Sequence, residues 1–300
     1  MTDKYAEPLN SIDRYAVVGN PISHSKSPLI HAAFAKQTKQ DISYESILAP
    51  LDGFADTVKD LITQGYKGVN VTVPFKFEAF NCCDYLSERA LAAGAVNTLF
   101  FKDGKINGDN TDGAGLISDI KLNLGHALQP QGLSPQNIPA EAGYSCLKGA
   151  RVLLLGAGGA AQGVLLPLLT AEPESITVAN RSLEKAHFMV QKLAAGHTVC
   201  NMAVSNFENI QGQFDIIINA TSTGLTNAAL PIANTVFARN CLAYDMMYGR
   251  ETPFMAQARI NGAQVADGLG MLVEQSAEAF YLWRGVRPET KPVIEMMRLL

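Results

Sequence analysis

Residues 152–161 read Val152-Leu153-Leu154-Leu155-Gly156-Ala157-Gly158-Gly159-Ala160-Ala161, an apolar run closed by a Gly-x-Gly-x-x-Ala turn. Apolar residues at helical spacing follow, at Val164, Leu165, Leu168 and Leu169. The order is strand, tight turn, helix. In that order the glycines permit a sharp turn and let a pyrophosphate approach the backbone, with the positive end of the helix facing its charge. A glycine pattern alone is weak evidence; flanked in this way it predicts a dinucleotide-binding βα unit lined by Gly156, Ala157, Gly158, Gly159 and Ala160.

The next strand, Ser175 to Ala179, ends in Asn180-Arg181-Ser182, with Lys185 one turn on. A site for NAD carries Asp or Glu at that strand end to hold the ribose 2′-hydroxyl. Here a guanidinium stands beside a hydroxyl and a second cation, a set suited to a 2′-phosphate. The expectation is NADP rather than NAD. The plainer reading makes Arg181 and Lys185 ordinary surface residues at a helix start.

Working outward, more than 140 residues precede the glycine turn in a chain of 300, enough for another domain. The chain is 47% hydrophobic and 17% charged, with a net charge of −4, which describes a globular enzyme rather than a disordered segment. No long basic run points to nucleic acid, and no apolar stretch is long enough to span a bilayer. The first residues lack the apolar core of a signal peptide, and the cysteines (Cys82, Cys83, Cys146, Cys200 and Cys241) form no Cys-x-x-Cys pair. The expectation is a cytoplasmic protein with reduced thiols and no metal. The five histidines are scattered, and most are expected at the surface or in loops.

Strands are expected at 15–19, 42–47, 68–73, 96–101 and 106–107, the last two as a hairpin around Lys102-Asp103-Gly104-Lys105. Helices are expected at 28–37, 51–64 and 112–123, and the alternation predicts a mainly parallel sheet covered on both faces. A stretch with Pro130, Pro135 and Pro139, from about 126 to 148, reads as a surface loop or insertion. A second βα series runs from Arg151 to about Ala266, with strands at 215–219 and 242–246. Helices at 268–283 and 291–300 close the chain.

Four polar clusters sit at strand ends or turns, where a parallel sheet presents functional groups. In Gly19-Asn20-Pro21-Ile22-Ser23-His24-Ser25-Lys26-Ser27-Pro28, Ser25 and Ser27 could bind a carboxylate. Ser27, ahead of a proline, also suits a helix N-cap. In Asn70-Val71-Thr72-Val73-Pro74-Phe75-Lys76, Asn70 and Thr72 would share one strand face. Lys76 could exchange a proton with a substrate hydroxyl, although a lone lysine is more often just exposed. The other two clusters hold Asn97 and, in Gly108-Asp109-Asn110-Thr111-Asp112-Gly113, Asp112. Asp112 could orient Lys76 or merely cap a helix.

Taken together, GNPISHSKSP, NVTVPFK, AGAVNT, GDNTDG, GAGGAA, NRS, INATSTG, YDMMYG and DGLGMLVEQ closely resemble the shikimate dehydrogenase family, in the family's order and over nearly the whole chain. The resemblance implies NADPH-dependent reduction of 3-dehydroshikimate to shikimate, on the route to aromatic amino acids. It implies an α/β fold of two domains, a Rossmann NADP-binding domain and an α/β substrate domain, with the active site in the cleft between them. The substrate domain would comprise 1–112 and 274–300, and the Rossmann domain 113–273. Ser25 and Ser27 would hold the substrate carboxylate, while Asn70, Thr72, Asn97 and Gln275 would face its hydroxyls. Tyr248 would approach the substrate from its own turn. Lys76 and Asp112 would be the catalytic pair. The glycine turn, Asn180, Arg181, Ser182, Lys185, Thr221, Met246 and Gly268 would line the cofactor site. Ser182 and Lys185 stand where many members carry threonine and arginine, which keeps a hydroxyl and a cation but loses the guanidinium fork. The expected partner is the small-molecule substrate, and a homodimer is compatible with the pattern. Two other readings share the fold: a quinate/shikimate enzyme with relaxed substrate or NAD use, and a non-catalytic dinucleotide sensor. Retention of both Lys76 and Asp112 argues against the sensor.

Overall fold

The computed structural model describes residues 12–127, 147–194, 200–223 and 228–300. Two six-stranded sheets organise them. The first is built from β1 (Asp13–Gly19), β2 (Ile42–Leu48), β3 (Tyr66–Val71), β4 (Tyr85–Leu86), β5 (Thr98–Lys102) and β6 (Lys105–Asp109) in the order β2-β1-β3-β5-β6-β4. β1 pairs parallel with β2 and β3, and β4 pairs parallel with β6; β5 runs antiparallel to β3 and β6. The β5–β6 hairpin turns at Asp103 and Gly104, both at positive φ (52° and 70°), the geometry that matches the right-handed twist of the strands.

The second sheet is wholly parallel: β7 (Arg151–Leu155), β8 (Ser175–Ala179), β9 (Asn201–Ser205), β10 (Phe214–Asn219), β11 (Phe237–Asp245) and β12 (Gln264–Asp267), ordered β9-β8-β7-β10-β11-β12. This is the doubly wound order of a Rossmann sheet. Val152 to Leu155 are fully buried, as a central strand covered on both faces requires.

The helices are α1 (Ser27–Thr38), α2 (Phe54–Thr63), α3 (Lys76–Cys82), α4 (Glu88–Ala93), α5 (Asp112–Ala127), α6 (Gly159–Thr170), α7 (Leu183–Ala194), α8 (Pro253–Ile260), α9 (Leu269–Arg284) and α10 (Lys291–Arg298). α5 passes between α6 and α9 at close range because it carries glycine on both sides. A Cβ on Gly113 would lie 2.2 Å from Pro167, and one on Gly115 would lie 2.7 Å from the Gln275 backbone nitrogen. The last two helices share an apolar cluster with α1, made by Ile30, Phe34, Leu269, Val273, Phe280, Val293 and Met297.

Several expectations need correction. β3 stops at Val71, so Thr72 lies in the turn beyond it; Phe75 N–H bonds back to Thr72 O, and Pro74 offers no N–H to continue a ladder. α1 begins at Ser27 itself, without a side-chain cap. α3, β4 and α4 were not anticipated, being too short to show a period. β11 starts at Phe237, five residues early, because Asn240 at φ 63° and a register shift hide its pattern. α5 continues to Ala127, and Leu147 is fully buried in the core of the second sheet; the expected loop between them lies outside the described residues. His31 is fully buried rather than at the surface.

Candidate active site

The carboxyl ends of β1, β3 and β6 and the start of the antiparallel β5 lie along one edge of the first sheet. That edge gathers all four polar clusters. Gly19 ends β1 so close to Thr72 that a Cβ would meet the threonine methyl at 2.5 Å, which brings the serine loop against the β3 turn. Asn20 holds the loop by donating its side-chain amide to Ala49 O at 2.8 Å. Ser25 Oγ accepts the N–H of Ser27 at 3.3 Å, so Ser25, not Ser27, serves the helix start.

Lys76 opens α3 and Asp112 opens α5. Lys76 Nζ donates to Asp112 Oδ2 at 2.6 Å. The lysine side chain is 31% exposed and the aspartate 6%, so one proton donor of the pair is open to a ligand. Asp112 is no cap: its other oxygen accepts from Asn97 Nδ2 at 2.8 Å. Asn97 Nδ2 also donates to Gln275 Oε1 at 3.0 Å, and Asn97 Oδ1 takes the N–H of Thr111. The buried Asn97 thus joins β5, α5 and α9, and Gln275 reaches this edge from the far end of the sequence.

A cavity of about 110 Å³ opens here, lined among others by Ser25, Ser27, Asn70, Thr72, Lys76, Asn97, Tyr248 and Gln275. Every expected substrate residue touches it, and Asp112 stands behind Lys76. Its hydroxyls, amides and the ammonium groups of Lys26 and Lys76 suit a small polyhydroxylated acid. Burial pushes the Tyr248 phenol upward, keeping it a neutral donor. A larger groove of about 1000 Å³ lies between α4, α5, α6 and α9. Its Arg89 and Arg287 are already paired with Asp109, Glu278 and Glu274, so it is the weaker candidate for an anionic substrate.

Beneath the cavity lies a layer that the sequence did not reveal. Tyr44 donates to Asn70 Oδ1 at 2.7 Å, and Asn70 Nδ2 donates to Thr98 Oγ1 at 3.1 Å. His31 stacks on Tyr44 with ring centroids 4.1 Å apart, and neither of its ring nitrogens has a hydrogen-bond partner. Burial lowers this imidazole to about 3, with the neighbouring Asn70 opposing the shift. Only a buried-face period on a longer helix could have flagged it.

The second sheet presents its own carboxyl edge. Gly156 has φ 112°, where a side chain would be strained. Gly158 precedes α6 with no capping side chain, and a Cβ there would meet nothing within 4 Å. That leaves room for an anion before the unsatisfied N–H groups of the first helical turn. Asn219 Oδ1 accepts from Thr221 Oγ1 at 2.7 Å, and Asn219 Nδ2 donates to Asp245 Oδ2 at 3.1 Å. Met246 follows Asp245 and donates its N–H to Asn219 O. Gly268 lies so close to Met246 that a Cβ would sit 2.2 Å from the methionine carbonyl. Asn180 closes its own turn through Ser182 O at 2.9 Å, while Arg181 and Lys185 are exposed. An acid does stand in the turn beyond that strand end: Glu184 Oε2 accepts from Ser182 Oγ at 2.8 Å. These residues fit a dinucleotide phosphate chain. The two edges meet where Phe77 of α3 comes within 3.7 Å of a Cβ placed on Gly159.

Three family models match this chain. The shikimate dehydrogenase substrate binding domain matches residues 17–99, the shikimate / quinate 5-dehydrogenase model 139–232, and the shikimate 5′-dehydrogenase C-terminal domain 268–298. The chain belongs to the shikimate dehydrogenase family. A family member from Methylobacillus flagellatus, named shikimate dehydrogenase (NADP(+)), is 55% identical over 289 residues, covering 96% of this chain and 99% of that one. Among solved structures, an Ael1 enzyme from Pseudomonas putida is 45% identical with a TM-score of 0.83, covering 95% of this chain and 97% of the other. Shikimate 5-dehydrogenase from Thermus thermophilus, in complex with NADP(H) and shikimate, is 31% identical with a TM-score of 0.78, covering 96% and 99%.

Proposed function

We propose that this family member is an NADP-dependent shikimate dehydrogenase, catalysing the reversible reduction of 3-dehydroshikimate to shikimate in aromatic amino acid biosynthesis. The observation that carries the reading is the 2.6 Å Lys76–Asp112 pair beside a small polar cavity, across from a glycine turn open to phosphate. Residues 1–112 with 274–300 form the substrate-binding unit and 113–273 the dinucleotide unit; the division is supported by β1–β6 preceding Asp112 and β7–β12 following it.

NADPH, when bound, supplies the hydride to the ring carbonyl carbon. Ser25 and Ser27 hold the substrate carboxylate at the start of α1, where the helix dipole favours negative charge. Asn70, Thr72, Asn97, Gln275 and Tyr248 orient the hydroxylated ring. Lys76, held by Asp112, donates to the carbonyl oxygen and delivers the proton as the alkoxide forms; in the reverse direction it receives that proton. Gly156, Ala157, Gly158, Gly159 and Ala160 take the pyrophosphate, while Asn180, Arg181, Ser182 and Lys185 take the adenosine 2′-phosphate. Thr221, Met246 and Gly268 line the rest of the cofactor site. The four cysteines among the described residues are free thiols, and no helix among those residues is long and apolar enough to cross a membrane; a cytoplasmic setting accords with both.

Initial rates of cofactor reduction with shikimate and quinate, each with NADP and NAD, test the function. Strong preference for shikimate with NADP is expected. Comparable rates with quinate or NAD would move the protein to the relaxed class, and NADP binding without turnover would overturn the enzymatic reading.

A further inference from the structure

The turn after β8 carries Arg181, Ser182, Glu184 and Lys185. Arg181 and Lys185 are exposed, and neither makes an ion pair or hydrogen bond among the described residues. Glu184, the second residue of α7, lies between them in sequence but pairs with neither cation. Its Oε2 accepts from the Ser182 hydroxyl at 2.8 Å. Its own backbone N–H and that hydroxyl hold the carboxyl below the usual range, with His187 one turn on adding a little. A full negative charge therefore stands at neutral pH where the 2′-phosphate is proposed to bind.

We infer that Glu184 is a specificity-setting residue that weakens the grip of this turn on a 2′-phosphate and so narrows the preference for NADP over NAD. The inference rests on the cofactor site proposed above. A phosphate monoester carries about −1.5 to −2 charges at neutral pH, so a carboxylate within the same turn repels it. Ser182 has a single hydroxyl proton, which is directed at Glu184 and must leave it before the hydroxyl can donate to a phosphate. A carboxylate is also the group that accepts from the free 2′-hydroxyl of NAD. Arg181 and Lys185 outweigh one carboxylate, so NADP is still preferred; Glu184 trims the margin.

Dissociation constants for NADPH and NADH, read from nicotinamide fluorescence without substrate, test this on the full chain and on E184Q, E184A and R181A. E184Q removes the charge and keeps the shape; E184A also frees Ser182. Both should tighten NADPH by about three- to tenfold at low salt, with the gain shrinking as salt is raised, and leave NADH unchanged or weaker. R181A should loosen NADPH only. The inference is overturned if R181A loosens NADPH while the Glu184 variants leave it unchanged or loosen it, or if they move NADPH and NADH in parallel. If R181A has no effect on NADPH, the cofactor site itself is misplaced and the inference goes with it.

Discussion

The two edges that face each other across the cleft are built in opposite ways. On the first sheet, Lys76, Asp112, Asn97 and Gln275 already hold one another at 2.6–3.0 Å, and Asp112 and Asn97 are buried. On the second, Gly158 faces open space and Arg181 and Lys185 extend into solvent. The contrast follows from the work proposed for each edge. Proton transfer depends on groups fixed before the substrate arrives. A large charged cofactor needs clear access and mobile cations that close on it. Damage to the first edge should therefore appear in turnover and folding together, and damage to the second in cofactor affinity alone.

The largest effect is expected at the buried pair. Lys76→Ala should lower kcat by about a hundredfold or more, the scale of general acid–base catalysis. It should also lower Tm, because removing one partner of a buried pair costs about 3–5 kcal/mol, discounted here for the partly exposed lysine. Adding Asp112→Asn should restore much of the Tm and none of the kcat. Recovery of turnover in the double variant would remove the pair from the chemistry.

On the opposite edge, Arg181→Ala should raise KM for NADPH by about tenfold or more, the worth of a charge-assisted hydrogen bond, and spare NADH. Equal loss with both cofactors would mean the arginine is structural. Gly158→Ala should weaken NADPH and NADH alike by a factor of a few while leaving Tm unchanged, because the new methyl meets no protein atom. A fall in Tm would show that this turn is as tightly packed as its counterpart.

The smallest effect concerns neither edge but the joint behind them. Tyr244 of β11 donates to Asp119 of α5 at 2.6 Å, and Gly270 of α9 packs on the same carboxyl. Burial lifts Asp119 to about 6; Tyr244 and Arg298 oppose the shift, and Glu274 and Asp267 add to it. The folded value lies above the unfolded one, so the protonated form contributes stability that is complete below about pH 4 and is lost as pH rises through 6. Asp119→Asn should therefore match the natural protein near pH 4 and exceed its Tm by a few degrees near pH 7. A Tm difference that does not change with pH would place the group outside this linkage.

Sequence patterns were most legible where the local signal was strong. The glycine turn and the β7–β8 unit declared the second sheet because an apolar run, φ-permissive glycines and a helical period occur side by side. The polar clusters were visible because each follows a strand. Short elements without a period, such as α3, β4 and α4, were not visible. Nor was the depth of His31, since a single imidazole reads the same whether stacked on Tyr44 or in water. Glu184 was passed over because its effect depends on a rotamer that reaches Ser182.

By itself the sequence determined the order of the elements, the dinucleotide turn and the set of residue types gathered for chemistry, because backbone preference and side-chain period act over a few neighbours. Only the tertiary structure decided that Lys76 meets Asp112 across 36 residues and that Asn97 meets Gln275 across 178. The second pairing depends on α5 passing close to α9, which Gly115 permits at a backbone distance no side chain could share. Long-range contact of that kind arises from packing two sheets and their helices together, and no local stretch of chain encodes it.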